Sequence, residues 1–310
     1  YCTEKPHRNV GFFVQQSRVQ VEGSKDGFVV MDFVLSKFFG TKLPKMKRPS
    51  FLPIVSSHAL AELLLKRATG DIEGFVVETP VAGGHNAPPR GKAVLNLKDE
   101  PVYGPRDEVD FGKLRALDKP FWIGGAYASP DGLALAQSQG AVGIQVGSIF
   151  ALCEESGMEQ SFRSRMRSLG YQGRLSIRTD RHASPTGFPF KVVELVGTIS
   201  DPSVYELRQR VCDLSALATP YTCPDGGIGY RCASESIPLF IRKGGKELAT
   251  VGSRCLCNGL LSAIGLGNPG ELPIFTLGDD TSFLRSLMKD EDGSYTAVDV
   301  LAYLQKEVLK

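Results

Sequence analysis

Residues 74–91 read GFVVETPVAGGHNAPPRG. The run Gly74–Glu78 is short, apolar and β-branched, the composition of a buried strand, and it opens into a glycine-rich loop that presents His85. Immediately upstream, Phe51–Val55 is a second short apolar run ending in Ser56-Ser57. From His58 to Thr69, Leu60, Leu63, Leu64 and Ala68 recur at helical spacing, with His58 as a helix-start residue.

Downstream the alternation continues. Glu108–Leu117 places Phe111, Leu114 and Leu117 on one helical face, and Pro120–Ile123 is a strand running into Gly124-Gly125. Ser129 then caps a helix that begins at Pro130, because its hydroxyl accepts an early N–H and proline fits the first turn. Ala141–Val146 is a fourth strand, ending at Gly147-Ser148. Four β/α steps in about 100 residues predict a parallel sheet with crossover helices at the density of a β/α barrel, which needs eight. The fold class is therefore α/β, with residues 51–196 expected to form the C-terminal half of a β/α (TIM) barrel.

The flanks are less periodic. Residues 1–50 read as a hairpin, 10–21 and 28–34 around the turn-prone Glu22–Gly27, followed by a solvated connector bearing Lys42, Lys45, Lys47 and Arg48. Residues 149–175 are expected to be helical, turning Phe162, Met166 and Leu169 toward a core, and Lys191–Val196 is strand-like. Residues 197–310 form a loop-rich extension containing Cys, Gly and Pro. It ends in a helix over 295–309 with Val298, Leu301 and Leu304 on one side.

Lys plus Arg number 36 and Asp plus Glu 34, a net charge of +2, which is too balanced to point to nucleic acid or to an anionic membrane. No uncharged apolar run approaches the ~20 residues of a membrane helix. A small-molecule substrate and a cytoplasmic setting are expected. The seven cysteines are an odd number spread along the chain, so free thiols are expected rather than a disulfide framework. Cys255 and Cys257, with Cys223 and Cys232 upstream, have the thiolate chemistry of a structural zinc site, but their spacings differ from paired C-x-x-C knuckles. They read as small buried apolar residues, and no metal is expected. Cys153 has no evident partner base.

The site residues follow from strand ends. In β/α barrels the loops after the strands build the active site, and the loops after the last two strands commonly hold a phosphate. Gly124-Gly125 and Gly147-Ser148 occupy such positions, where glycine lets backbone N–H groups approach an anion and Ser148 adds a hydroxyl donor. His85 follows Ala82-Gly83-Gly84 and is placed to act as a general base or hydrogen-bond donor. Glu78 either orients site groups or pairs with a lysine. His182 is a weaker candidate for the same mouth.

As an ordered set, Ala82-Gly-Gly-His85, Phe121-Trp-Ile-Gly-Gly125 and Gly143-Ile-Gln-Val-Gly-Ser148, with Glu155-Ser156 shortly after, resemble the nitronate monooxygenases, formerly 2-nitropropane dioxygenases. The resemblance covers roughly residues 50–196, and the loop Thr186–Phe190 is similar to the one that follows the barrel in that family. The distal part looks like the C-terminal extension of a longer-chain branch. The resemblance implies an FMN-dependent β/α barrel that oxidises nitronates or nitroalkanes with oxygen to carbonyl compounds and nitrite. It implies His85 as the catalytic residue, a first phosphate turn at Gly124 and Gly125, and a second at Gln145, Val146, Gly147 and Ser148. Val81 stands where the family often has glutamate, and Ser148 where it usually has threonine. The chain, which starts at Tyr1, is expected to lack the N-terminal half-barrel. The flavin enoyl-acyl-carrier-protein reductases share the barrel, FMN and a glycine-flanked histidine, and a non-catalytic remnant is the reading of a different class.

Overall fold

The computed structural model describes residues 16–32, 40, 49–68 and 70–306. Its centre is a four-stranded parallel sheet in the order β3-β4-β5-β6, formed by Ile54–Val55 (β3), Phe75–Glu78 (β4), Phe121–Gly124 (β5) and Gly143–Gln145 (β6). The crossovers are the helices His58–Arg67 (α1), Phe111–Arg115 (α2) and Pro130–Ser138 (α3). This is the mixed α/β architecture expected for residues 51–148, with three of the strands one to three residues shorter than composition alone suggests and β5 displaced by one residue.

Local chemistry explains the boundaries. Ser57 and Ser129 each accept a backbone N–H of the first helical turn, from Leu60 and Gly132 respectively, so His58 does begin α1 and Pro130 does begin α3. Val55, Phe75, Val77, Phe121 and Ile123 alternate onto one face of the sheet and are buried against Ala61, Leu114 and Ala136 of the three helices. Each large side chain taken fully out of water contributes about 1.5–3 kcal/mol. The opposite face carries the row Ile54, Val76, Trp122 and Gly143 in register, and one step further the row Glu78, Gly124 and Gln145. That second row stands at the C-terminal ends of the strands.

Before the sheet, Gln16–Gln20 (β1) and Phe28–Asp32 (β2) form the anticipated hairpin. Positions 10–15, 33–34 and the basic connector at 42–48 lie outside the described residues.

Beyond the sheet the sequence reading needs three corrections. The helix expected over 149–175 is two helices, Ser148–Ala151 (α4) and Gln160–Tyr171 (α5), because Glu159 caps a new start by accepting from Ser161 and Phe162 N–H groups. The strand Phe190–Glu194 (β8) does not join the parallel sheet; it pairs antiparallel with Ser176–Asp180 (β7), a strand that alternating charge had hidden. In the final helix, Ala297–Leu304 (α10), Val300 and Leu304 are buried while Val298 and Leu301 are 70% and 51% exposed, so the i, i+4 pair faces the core.

The division at residue 196 is not a division of packing. Val193 and Leu195 share a core with Phe275, Leu277, Phe283 and Tyr295, while Phe190 and Val192, on the other face of β8, pack with Ile199, Leu256 and Ile274. Pro202–Leu207 (α6), the hairpin Thr219–Thr222 (β9) with Ile228–Arg231 (β10), and the helices Ile237–Arg242 (α7), Leu256–Ser262 (α8) and Phe283–Leu287 (α9) complete the C-terminal part. No helix among the described residues is long and apolar enough to cross a membrane.

Candidate functional site

At the C-terminal edge of the parallel sheet lies a cleft of about 410 Å³. Of the residues singled out from sequence, Ala82, Gly83, Gly84, Gly125, Gln145, Val146, Gly147 and Ser148 line it. Two glycine turns more than 20 residues apart and the Ala82–Gly84 loop thus meet, as the parallel register of Glu78, Gly124 and Gln145 requires. The volume falls within the ~300–1,000 Å³ range of small-molecule sites.

The glycines divide into two kinds. Gly125 has φ +98°, and a Cβ there would lie 2.2 Å from Thr79 Oγ1 and 3.0 Å from Ala82 N, so it is needed for the turn itself. Gly124 is not a lining residue: it sits in the strand, its carbonyl accepts from Thr79 N–H, and a Cβ would meet Gln145 Oε1 at 2.7 Å. Gly84 and Gly147 are different, since a Cβ on either would project into open space. Both leave the cleft free of a side chain, Gly84 in a turn at φ +82°. Beside Gly147, Ser148 Oγ accepts from Gly278 N–H at 2.8 Å, leaving its own proton to donate.

The His85 loop is wedged from two sides. Lys191 N–H donates to Gly84 O and Asn86 N–H to Pro189 O, while Gly84 N–H donates to Thr276 Oγ1 at 2.7 Å and Asp279 N–H to Val81 O. His85 itself does not line the cleft, although its neighbour Gly84 does. The imidazole is half-buried, edge-on to Phe190 at 4.9 Å between ring centroids, and its Nε2 lies 2.7 Å from Ser184 Oγ, which in turn lies 2.7 Å from Thr186 Oγ1. Burial pulls its pKa below the usual 6.5, so the ring is neutral at pH 7. A neutral imidazole oriented by a hydroxyl chain is a competent proton acceptor.

Glu78 lines the same cleft and also a second cavity of about 20 Å³, room for about one water, with Asn86, Arg90 and Tyr103. Burial raises its carboxyl to about 7, and among the described residues no ion pair offsets the cost. Among the described residues it does not pair with a lysine, the simpler of the two sequence readings. Lys191, almost fully buried, instead grips both carboxylate oxygens of Asp279 at 2.6–2.7 Å. Among the described residues the lining side chains therefore bring two carboxyls, Glu78 and Asp280, and no cation. An anion held here is held by backbone N–H groups and Ser148, and a protonated Glu78 removes one like charge from the lining.

Sequence reasoning missed the opposite wall: Thr276, Leu277, Gly278, Asp280 and Phe283 come from the C-terminal extension. The signal was present in Pro273-Ile-Phe-Thr-Leu-Gly278, an apolar run ending in glycine and then two aspartates, the same pattern as the sheet's strand ends. Ser184 and its contact with His85 carried no signal. His182 lies by Asp99, 3.7 Å from its carboxylate, and does not line the cleft. Burial raises the Cys153 thiol.

No protein-family model matches the chain, and no curated protein matches it. Among solved structures, FabK from Thermotoga maritima is 16% identical with a TM-score of 0.45, the match covering 89% of this chain and 64% of that one. A mutant of the same protein is 18% identical with a TM-score of 0.43, covering 88% and 60%. The chain thus spans about three fifths of the length of these structures. Likeness at this level leaves the function to be read from the site itself.

Proposed function

We propose that the cleft is the FMN site of a β/α-barrel oxidoreductase that oxidises nitronates or nitroalkanes with oxygen to carbonyl compounds and nitrite. The observation that carries the reading is the convergence of the Ala82–Gly84 loop, Gly125 and the Gln145–Ser148 turn on one cleft beside a neutral, hydroxyl-bonded His85. The residues fit the cofactor where it is most demanding, because Gly147 offers bare backbone and Ser148 a hydroxyl proton to the cleft, as a phosphate needs.

Gly147 and Ser148 would hold the phosphate, and Ala82, Gly83 and Gly84 would run along the ring system. FMN, when bound, would supply an acceptor for the substrate's electrons and a route for them to oxygen. His85, at the rim of the Gly84 loop, would take a proton from the carbon of a neutral nitroalkane, and the Ser184–Thr186 hydroxyls bonded at its Nε2 fix the orientation of the ring. Glu78, protonated up to about pH 7, holds a proton in the cleft lining and spares the site its carboxylate charge.

Trp122 is the chain's single tryptophan and stands in the parallel sheet, so its emission reports flavin binding without turnover. Titration of FMN into the purified chain is expected to quench it saturably, and Gly147→Val to abolish that quench while leaving the circular dichroism spectrum unchanged. Oxygen uptake should follow addition of a nitronate. Activity only in NADH-dependent reduction of an enoyl thioester would transfer the site to the reductase reading, and a chain that neither quenches nor turns over would be a non-catalytic remnant. His85→Asn is expected to lower turnover of neutral nitroalkanes by 10²- to 10⁴-fold, roughly the worth of a general base, and to spare preformed nitronates.

A further inference from the structure

We infer that Ser184 and Thr186 form a proton wire that carries the Nε2 proton of His85 to the surface, leaving Nδ1 as the nitrogen that meets a substrate. The inference rests on His85 acting as the base of the cleft, as proposed above. The ring is half-buried with Phe190 against it, and among the described residues its hydrogen-bond partner is Ser184, whose Oγ lies 2.7 Å from Nε2. Thr186 Oγ1 lies a further 2.7 Å away. Ser184 is 3% exposed and Thr186 is exposed, so polar groups in unbroken contact lead from an interior ring to water.

The loop that carries both hydroxyls restricts how they can bond. A hydroxyl has one proton and two lone pairs. Thr186 N–H donates to Ser184 Oγ at 3.3 Å and Phe188 N–H to Thr186 Oγ1 at 3.4 Å, so each oxygen spends one lone pair on the backbone. One proton and one lone pair remain on each. Ser184 divides them between His85 Nε2 and Thr186 Oγ1, and Thr186 divides them between Ser184 Oγ and solvent. Two arrangements satisfy every group: all protons pointing outward from Nε2–H, or all pointing inward to a bare Nε2. Passage of one proton along the chain turns the first into the second. Gly187 N–H donates to Ser184 O at 3.1 Å, with Gly187 at φ +78°, and this tight turn keeps the two oxygens in contact.

In the resting ring Nε2 carries the proton and Nδ1 is bare. A neutral nitroalkane gives its α-proton to Nδ1, and the C–H electron pair stays on the substrate, delocalised onto the nitro group as a nitronate. The Nε2 proton then moves to Ser184 Oγ, the Ser184 proton to Thr186 Oγ1 and the Thr186 proton to water. The ring is thereby discharged while substrate occupies the cleft, a step favoured because burial disfavours the charged imidazole. After product leaves, the Nδ1 proton passes to water in the open cleft as the chain returns one to Nε2.

The test uses the full chain. In nitrogen-15 spectra recorded without flavin, the His85 signals, assigned by their loss in His85→Asn, are expected to show a bare Nδ1 and a protonated Nε2. Thr186→Val should slow exchange of that proton with water by about tenfold or more, with the circular dichroism spectrum unchanged. With FMN bound, the same variant is expected to lower turnover of neutral nitroalkanes by roughly 10- to 100-fold, a part of what a positioned base supplies. Imidazole buffer should restore that rate, and Thr186→Ser, which keeps the hydroxyl, should retain it. A merely orienting role needs Ser184 alone and predicts parent behaviour for Thr186→Val. An Nδ1–H tautomer, or parent values for Thr186→Val in the exchange or in the turnover of an active chain, would overturn the wire. Slowed exchange in a chain that turns over no nitroalkane would keep the wire and remove the function proposed for the cleft.

Discussion

The two walls of the cleft are held by different physics. The sheet-side wall, from Ala82 to Ser148, rests on a backbone ladder, alternating apolar side chains and turns that glycine alone permits. The opposite wall, Thr276 to Phe283, comes from chain without regular strands, in a part of the molecule that carries ion pairs: Arg254 with Asp180 at 2.6 Å and Arg208 with Glu271 at 3.4 Å, both buried, and Lys191 with the exposed Asp279 at 2.6 Å. A periodic wall announces itself in sequence, whereas a wall assembled from distant charges does not. The comparison also says where each wall should fail.

The C-terminal wall should be the more fragile to loss of one charge. Arg254 also donates to Ile199 O and Gly252 O, and its partner Asp180 is 4% exposed. Arg254→Met leaves that carboxylate buried with one cation fewer and is expected to cost about 3–5 kcal/mol in urea unfolding. A cost below 1 kcal/mol would remove the distinction between the walls. The Arg208–Glu271 pair is different, since burial raises the Glu271 carboxyl despite its partner. Desolvation there outweighs attraction, so replacing both members by apolar residues should be close to neutral.

On the sheet side the vulnerable point is a backbone one. Gly125→Ala combines a positive φ with a Cβ placed 2.2 Å from Thr79 Oγ1, and is expected to cost about 2–4 kcal/mol. Gly147→Ala, whose Cβ meets nothing, should change stability by no more than about 0.5 kcal/mol. The pair separates glycines needed for folding from glycines that keep the cleft open, which unfolding and Trp122 quenching read separately.

Glu78 joins the walls, and its ionisation sets a pH dependence of known sign. Its carboxyl rises from 4.5 to about 7 in the folded chain. Between those values the native state keeps a proton that the unfolded state has released, so stability falls as pH rises through that window and is lowest above it. Glu78→Gln cannot ionise. It is expected to match the parent near pH 4 and to exceed it by roughly 1–3 kcal/mol at pH 8. Equal stability at both pH values would mean that Glu78 is solvated, and its place in the proposed chemistry would go with it.

The same contrast explains what could be read in advance. Leu60 to Ser148 was legible because Phe75, Val77, Phe121 and Ile123 alternate and because Ser57 and Ser129 are unambiguous caps. The turn residues were legible because their position follows from the strands. β7 was not, since Ser-Ile-Arg-Thr-Asp spends its charged side chains on ion pairs with Glu194 and Arg254 rather than on solvent. Nor was Ser184, because the contact with His85 spans 99 residues and depends on β8 bridging the loop at Phe190.

The last helix gives the smallest effect and the cleanest reading of this limit. Over eight residues, Ala297–Leu304 offers two apolar stripes, and spacing alone does not choose between Val298 with Leu301 and Val300 with Leu304. The choice is made by what α10 packs on, since Val300 and Leu304 meet the core that contains Ile149, Phe283 and Tyr295. Val300→Ala, fully buried, is therefore expected to cost about 1–3 kcal/mol. Val298→Lys and Leu301→Lys, on the exposed stripe, should stay within about 0.5 kcal/mol of the parent. A larger loss from the lysines would show that stripe to be covered, by a second copy or by residues outside those described, and the C-terminal wall would then extend beyond the core seen here.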